Sequence, residues 1–375
     1  MEFRDLKKQY DVLRPMIDEA VAGVVSGARY IMGPEVEQLE EELAEYTGVR
    51  HCISCANGTD ALQLALMAWR VGPGDAVFVP DFTFFSSAEV VAAVGATPVF
   101  VDVDAETFNI DPEDLECAVC ETLAERKLCP KVVIGVDLFG LPAQWHKISE
   151  IAKRYGLLTL EDGAQGFGGG IGGRKACSFA DIATTSFFPA KPLGCYGDGG
   201  AIFTDNDEWA ELLRSYRVHG KGNCKYDNVR IGMNSRLDTV QAAILLVKFK
   251  AFRDYELQDV NTAAAFYTEE LADVAGLGTP SVPEGFSSSW AQYTIRLSDK
   301  SARDGLQASL KANGIPSMVY YPTPMSAQTA FAALPRRDCA SASKLCDTVL
   351  SLPISPYITR EEQRDVADAI KEYVW

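Results

Sequence analysis

Apolar and polar positions along the first two thirds of the chain alternate in blocks of strand length and helix length. Val36, Leu39 and Leu43 stand at helical spacing within residues 35–46, and Gly48 supplies the stop, because glycine readily takes the left-handed conformation that ends a helix. Residues 51–56 predict a strand, 57–60 a turn, and 61–69 an unbroken helical run. Two strands, 76–80 and 97–102, flank a loop at 81–88 that enters a helix. The series continues with a strand at 132–137, a helix from Ile148 to Tyr155, and short apolar runs at 157–160 and 182–186. Strands alternating with helices predict an α/β fold with a parallel, doubly wound sheet.

Beyond residue 186 the pattern is less regular. Residues 197–204 resemble a hairpin strand and 207–217 a helix, and 218–226 form a polar, glycine-bearing loop suited to a mobile active-site rim. A long helix follows at 239–249, with Ser235 or Asp238 as its expected cap. From about Ala251 helices with amphipathic charge take over. Then come a strand at 287–296, a helix at 306–313 closed by Gly314, and a rigid extended segment at 319–324 that returns to the site. Thr359 and Glu362 are spaced as a capping box opening a terminal helix. A chain of 375 residues exceeds what one core normally accommodates, so a large domain at 1–250 and a small one at 251–375 are expected.

Composition narrows the function classes. A net charge of -17 argues against a broad electrostatic hold on nucleic acid or on an anionic membrane, so an anionic ligand has to be met by local groups. No run of eighteen apolar residues occurs, and a cytoplasmic protein without a membrane span is expected. The ten cysteines are scattered, which favours reduced thiols. Cys52 and Cys55 have the spacing of a metal or redox pair but no second pair beside them, so they read as part of a small-residue strand and no metal is expected. Gly168 to Gly173 fit the dinucleotide pattern. Yet Arg174-Lys-Ala-Cys-Ser178 follows instead of a helix that could receive a pyrophosphate, so a flexible glycine turn between strands is expected.

The chemistry concentrates around Lys191. It lies in Ser186-Phe-Phe-Pro-Ala-Lys191-Pro-Leu-Gly, just after one expected strand, while Glu161-Asp162 ends another. Pyridoxal phosphate works as an electron sink, held as a Schiff base on a lysine with a carboxylate paired to its ring nitrogen. One rim of an open sheet could present both groups, with Asp162 the preferred carboxylate. The plainer alternative is two strand-end turns and a surface lysine. Gly58 and Thr59 stand where a strand turns into a helix, an arrangement that binds phosphate through unpaired amides and the helix dipole; a simple cap by Asn57 or Thr59 is the alternative. Phe84 falls at a strand's ligand end, where its ring could stack on a pyridine or belong to the core. Arg236, just outside a helix, could grip a carboxylate bidentately or stay solvated.

Taken in order, Cys55-Ala-Asn-Gly-Thr-Asp-Ala-Leu62, Glu161-Asp-Gly-Ala-Gln165, Ser186-Phe-Phe-Pro-Ala-Lys191, Gly197-Asp-Gly-Gly200 and Asn234-Ser-Arg-Leu-Asp238 resemble the DegT/DnrJ/EryC1/StrS family of nucleotide-sugar aminotransferases. The resemblance implies the aspartate-aminotransferase fold (fold type I), with a mostly parallel sheet and a smaller C-terminal α+β domain. It also implies pyridoxal 5'-phosphate as cofactor and a homodimer with shared sites. Lys191 would be the Schiff-base lysine and proton shuttle and Asp162 the partner of the ring nitrogen. Gln165 would lie beside the ring hydroxyl and Phe84 on the ring. Gly58, Thr59 and Ser186 would bind the phosphate, with Asn234 from the other subunit. Arg236, from the partner side of the site, would hold a carboxylate of the amino donor or of an acidic sugar, and Tyr320, Tyr321 and His219 would face substrate, although family members close to this chain often carry histidine where Tyr320 stands. Within the family, the runs around Cys55 and Lys191 are most similar to enzymes that use glutamate to aminate C3 of a UDP-linked 3-oxo-glucuronic acid for surface polysaccharide, as in O-antigen. A dTDP- or GDP-linked 3- or 4-ketosugar is the alternative. A related dehydratase lacks the lysine, and a non-catalytic regulatory member would be expected to lose the residues that this chain keeps.

Overall fold

A computed structural model describes residues 1–224 and 226–374; Lys225, in the loop expected at 218–226, and Trp375 lie outside the described residues. The strands are β1 His51–Cys55, β2 Asp75–Pro80, β3 Thr97–Val101, β4 Cys129–Val136, β5 Leu158–Asp162, β6 Gly170–Ile171, β7 Arg174–Lys175, β8 Ile182–Ser186, β9 Gly200–Thr204, β10 Phe286–Ser287, β11 Tyr293–Arg296 and β12 Val349–Leu352. Seven of them form the central sheet in the order β1-β9-β8-β5-β4-β2-β3. All run parallel except β9, which is antiparallel to both neighbours.

Both faces of this sheet are covered, so its strands read as continuous apolar runs. On β2, Val77 and Val79 enter a core shared with Leu62, Leu66 and Ile134, while Ala76 and Phe78 point into a second core with Leu115, Trp145 and Ile148. The period-two alternation of a strand produces this division. The helices are α1 Leu6–Gly27, α2 Pro34–Thr47, α3 Gly58–Ala68, α4 Ser86–Ala93, α5 Pro112–Glu125, α6 Trp145–Tyr155, α7 Asp207–Tyr216, α8 Thr239–Ala251, α9 Leu257–Leu271, α10 Lys300–Ala312, α11 Ala340–Thr348 and α12 Arg360–Val374. A π-helical turn, Phe252–Glu256, joins α8 to α9. Another apolar core is drawn from α9, α10, α12, β11 and β12. Met325, Phe331 and Leu345 from the C-terminal third enter the first core instead.

The turn expected over Gly168 to Gly173 is confined to Gly172 and Gly173, which have φ of 58° and 85° and link β6 to β7, while Gly170 and Ile171 are β6 itself. Three expectations need correction. The strand expected at 287–296 is two pieces, β10 and β11, because Ser289 leaves the ladder: its N–H donates to Gly140 O at 3.0 Å and its hydroxyl to Gln165 O at 2.7 Å. The helix expected at 306–313 begins earlier, at Lys300, where the Asp299 carboxylate accepts from Ala302 N–H. Asp238 does stand at the N-cap of α8, but without a side-chain hydrogen bond to the helix, and Ser235 Oγ accepts instead from Ala56 N–H at 3.1 Å. Helices α1, α5 and α11 have no counterpart among the expected elements. Asp5 caps α1, whose Leu13 and Ile17 pack against Ile244 and Ala251 of α8.

Candidate active site

The carboxyl ends of β5 and β8 and the start of the reversed strand β9 share one rim, with Val136 beside Asp162, Asp162 beside Thr184, and Ser186 beside Gly200. Asp162 is buried there. Ser87 donates its hydroxyl to Oδ2 at 2.7 Å and Ala164 its N–H to Oδ1 at 3.3 Å. Burial raises the carboxyl pKa, opposed by the Ser87 hydrogen bond and the charge of Lys191. Its neighbour Glu161 is turned elsewhere: it accepts from the backbone N–H groups of Cys177 and Phe179 and is held well above the carboxylate range by burial and by the charge of Asp137.

Lys191 lies in the loop from β8 to β9, its N–H donating to Phe188 O at 2.9 Å. The loop closes tightly at Gly194, where a Cβ would stand 2.5 Å from Pro189 O. Burial pushes the Lys191 ammonium down to about 8, Asp162 pulls the other way, and Arg4 adds to the lowering. An amine and a carboxylate therefore lie in each other's field at the ligand end of the sheet, as the sequence leads one to expect.

The turn before α3 forms the second part. Asn57 Oδ1 caps the helix by accepting from Asp60 N–H at 2.8 Å, which leaves other amides of the first turn unpaired. A Cβ on Gly58 would stand 2.7 Å from Ser186 Cβ, so only glycine lets this turn lie against β8. Thr59 Oγ1 is 2.7 Å from Ser86 Oγ. Hydroxyls and free amides thus converge at a helix start, a setting that favours an anion.

Gln165 is pinned at both ends. Its Oε1 accepts from Phe139 N–H at 2.8 Å and its Nε2 donates to Tyr321 OH at 3.0 Å. The Tyr321 ring lies 6.2 Å from that of Phe84, which is 52% exposed, and the Tyr320 ring lies 6.2 Å from that of Phe3. Segments 81–88 and 319–324 thereby meet at the rim. His219 and Arg236 line a separate open cavity of about 1000 Å³ with Lys221, Asn228 and Arg230. Asn234 is exposed, its backbone bridging to Val218. Sequence reasoning missed Ser87, whose hydroxyl orients Asp162, and Arg4, which acts on Lys191. A run of hydroxyls after a strand end, Thr83-Phe-Phe-Ser-Ser87, was the available signal for the first; nothing local marks the second.

Pyridoxal phosphate fits these residues. The hydrogen-bond donors to Asp162 are a hydroxyl and an amide, both neutral, so beyond the field of Lys191 its buried carboxylate has room for a directly paired cation such as a protonated ring nitrogen. The free amides at the Gly58 turn could receive the phosphate, and Lys191 offers an amine that could hold the aldehyde. Comparison with known proteins agrees. A family model for the DegT/DnrJ/EryC1/StrS aminotransferase family matches residues 12–371. The UDP-2-acetamido-2-deoxy-3-oxo-D-glucuronate aminotransferase of Pseudomonas aeruginosa is 45% identical over 358 residues, 96% of either chain. A DegT DnrJ EryC1 StrS aminotransferase from Brucella abortus, 48% identical, superposes with a TM-score of 0.96 over 100% of this chain and 99% of that one. The ntda protein of Bacillus subtilis, solved with bound cofactor PMP, gives 0.88 at 30% identity over 96% and 82%.

Proposed function

The chain belongs to the DegT/DnrJ/EryC1/StrS aminotransferase family, and from that premise we propose that it transfers an amino group from glutamate to C3 of UDP-2-acetamido-2-deoxy-3-oxo-glucuronic acid. It is a pyridoxal phosphate-dependent aminotransferase of fold type I. The observation that carries the substrate choice is the likeness to the Pseudomonas aeruginosa enzyme along nearly the whole chain.

When bound, pyridoxal phosphate supplies an electron sink for the charge that develops on the donor's α carbon. Lys191 would hold it and, when its amine is free, would take the proton from that carbon; a pKa near 8 leaves part of the amine neutral for this task. In the second half of the cycle the same Nζ returns a proton to the sugar. Asp162, steadied by Ser87, would keep the ring nitrogen protonated, and Gln165, held by Phe139 N–H, would lie beside the ring hydroxyl. Phe84 would cover one ring face and exclude water. Gly58, Thr59 and Ser186 would hold the phosphate with Asn234 of the partner subunit. Arg236 and His219 of the partner subunit and Tyr320 and Tyr321 of the same chain face the substrate.

A homodimer is part of this reading, supported by Ile231 and Val229, apolar side chains 89% and 54% exposed in the segment that carries Asn234 and Arg236. So is a cytoplasmic location, where glutamate and nucleotide sugars meet, with the product serving surface polysaccharide. No described helix is long and apolar enough to cross a membrane.

The test begins with the visible absorbance of the loaded enzyme, which glutamate should change and Lys191→Ala should abolish. Half-reactions with UDP- and dTDP-linked ketosugars then decide the substrate. Faster amination of a dTDP sugar or a 4-ketosugar would overturn the choice of the uronic acid and leave the aminotransferase assignment standing.

A further inference from the structure

We propose that Arg4 binds the carboxylate of the ligand seated at Lys191, as a specificity residue supplied by the same chain as that lysine. The inference deepens the aminotransferase reading and rests on it.

The first residues of the chain fold back onto the site. Leu6 N–H donates to Arg4 O at 3.0 Å, Asp5 caps α1, and Phe3 sets its ring against Tyr320, whose neighbour Tyr321 holds Gln165. Arg4 thereby comes close enough to Lys191 for its charge to act there. Its Nη1 is buried with no hydrogen-bond partner, and among the described residues Arg4 forms no ion pair. Glu256 is the carboxylate whose charge it feels, but the two form no ion pair, and Glu256 Oε1 accepts from Gln9 Nε2 at 2.8 Å and from Tyr357 OH at 2.6 Å.

A buried guanidinium N–H without an acceptor is costly, so its persistence points to an acceptor brought by a ligand. Charge balance points the same way. At Lys191 a single carboxylate, Asp162, stands against two cations, the lysine itself and Arg4. Burial lowers Arg4 only to about 10, so it stays cationic at working pH. A planar fork of donors in such a place matches a carboxylate bidentately.

Two substrates carry one: the amino donor and the uronic acid at C6. In the loaded enzyme, Arg4→Gln and Arg4→Lys would be tested in each half-reaction separately, with a sugar bearing a hydroxymethyl group at C6 as the uncharged control. The expected result is a rise in half-saturation of about 10- to 100-fold for Arg4→Gln in a carboxylate-bearing half-reaction, the loss expected for a charged hydrogen bond. Arg4→Lys should recover only part of it. The uncharged sugar, the melting temperature and the cofactor absorbance should stay unchanged. Movement in the glutamate arm assigns the donor's carboxylate, and movement in the uronate arm assigns the sugar's. Calorimetric titration with two non-reacting probes, maleate for the donor and UDP-glucuronic acid for the sugar, should show the same ratio. Unchanged half-saturation in both arms, or an equal loss with the uncharged sugar, overturns the proposal. If the wild type accepts glutamate but not the uronate, the substrate choice fails, and Arg4 is judged on glutamate and maleate alone.

Discussion

Lys191 and Asp162 are each driven toward neutrality by burial and each held charged by the other. Ser87 tips this balance on the acid side, since a hydroxyl given to a carboxylate favours its ionised form. Among the described residues no acceptor takes a hydrogen bond from the amine, and it settles near 8 where an exposed lysine would titrate at 10.5. This has a measurable consequence in the cofactor-free chain, because the aldehyde of pyridoxal phosphate reacts with the neutral amine. The rate of cofactor uptake should climb with pH through a midpoint near 8. Asp162→Asn removes the charge that keeps the proton on, so the midpoint should fall further. Stopped-flow absorbance across a pH series reads both values. A wild-type midpoint near 10.5, or an upward move in Asp162→Asn, would contradict the electrostatic account of the pair.

Among the elements, the start of α3 carries the clearest relation between residue type and chemistry. Gly58 is required by the approach of Ser186, and not by a left-handed φ, so alanine there acts through crowding. Gly58→Ala should leave the fold intact, yet weaken cofactor affinity by about tenfold or more, in line with the usual cost of forcing a methyl into a packed contact. Equilibrium dialysis against pyridoxal phosphate measures this, and unaltered affinity would detach Gly58 from the phosphate site. That element was legible in the sequence because its signals are contiguous: an apolar strand, Asn57 and Gly58, then a helical run. Residues 287–296 were misread for the opposite reason. Ser289 gives its hydrogen bonds to Gly140 and Gln165, far off along the chain, and no local alternation records such a tie. Helix α1 escaped notice although Leu13, Ile17 and Val24 are spaced for one buried face, with Pro15 interrupting the run.

At the scale of the molecule, the alternation of strands and helices implied the parallel sheet and residues 197–204 read as a hairpin strand, but neither could show that β9 lies between β1 and β8. Nor could either bring Arg4 to Lys191 or Phe3 to Tyr320, contacts that depend on how the chain's start, middle and end are folded together. The same holds between subunits. Lys191 and Asp162 form one constellation within the chain, whereas Arg236 and His219 line another cavity, and the exposed Ile231 and Val229 stand beside it. If the proposed homodimer joins the two, each complete site draws Lys191 from one chain and Arg236 from its partner. Lys191→Ala and Arg236→Ala chains, each inactive alone, should then complement one another. In a twofold dimer refolded from an equal mixture, half the molecules are hybrids with one intact site, so activity should return to about a quarter of the wild-type value. Both lesions would fall in separate sites if each site came from a single chain, and no activity would return. Recovery near a quarter, absent when either variant is refolded alone, would assign Arg236 to the partner side.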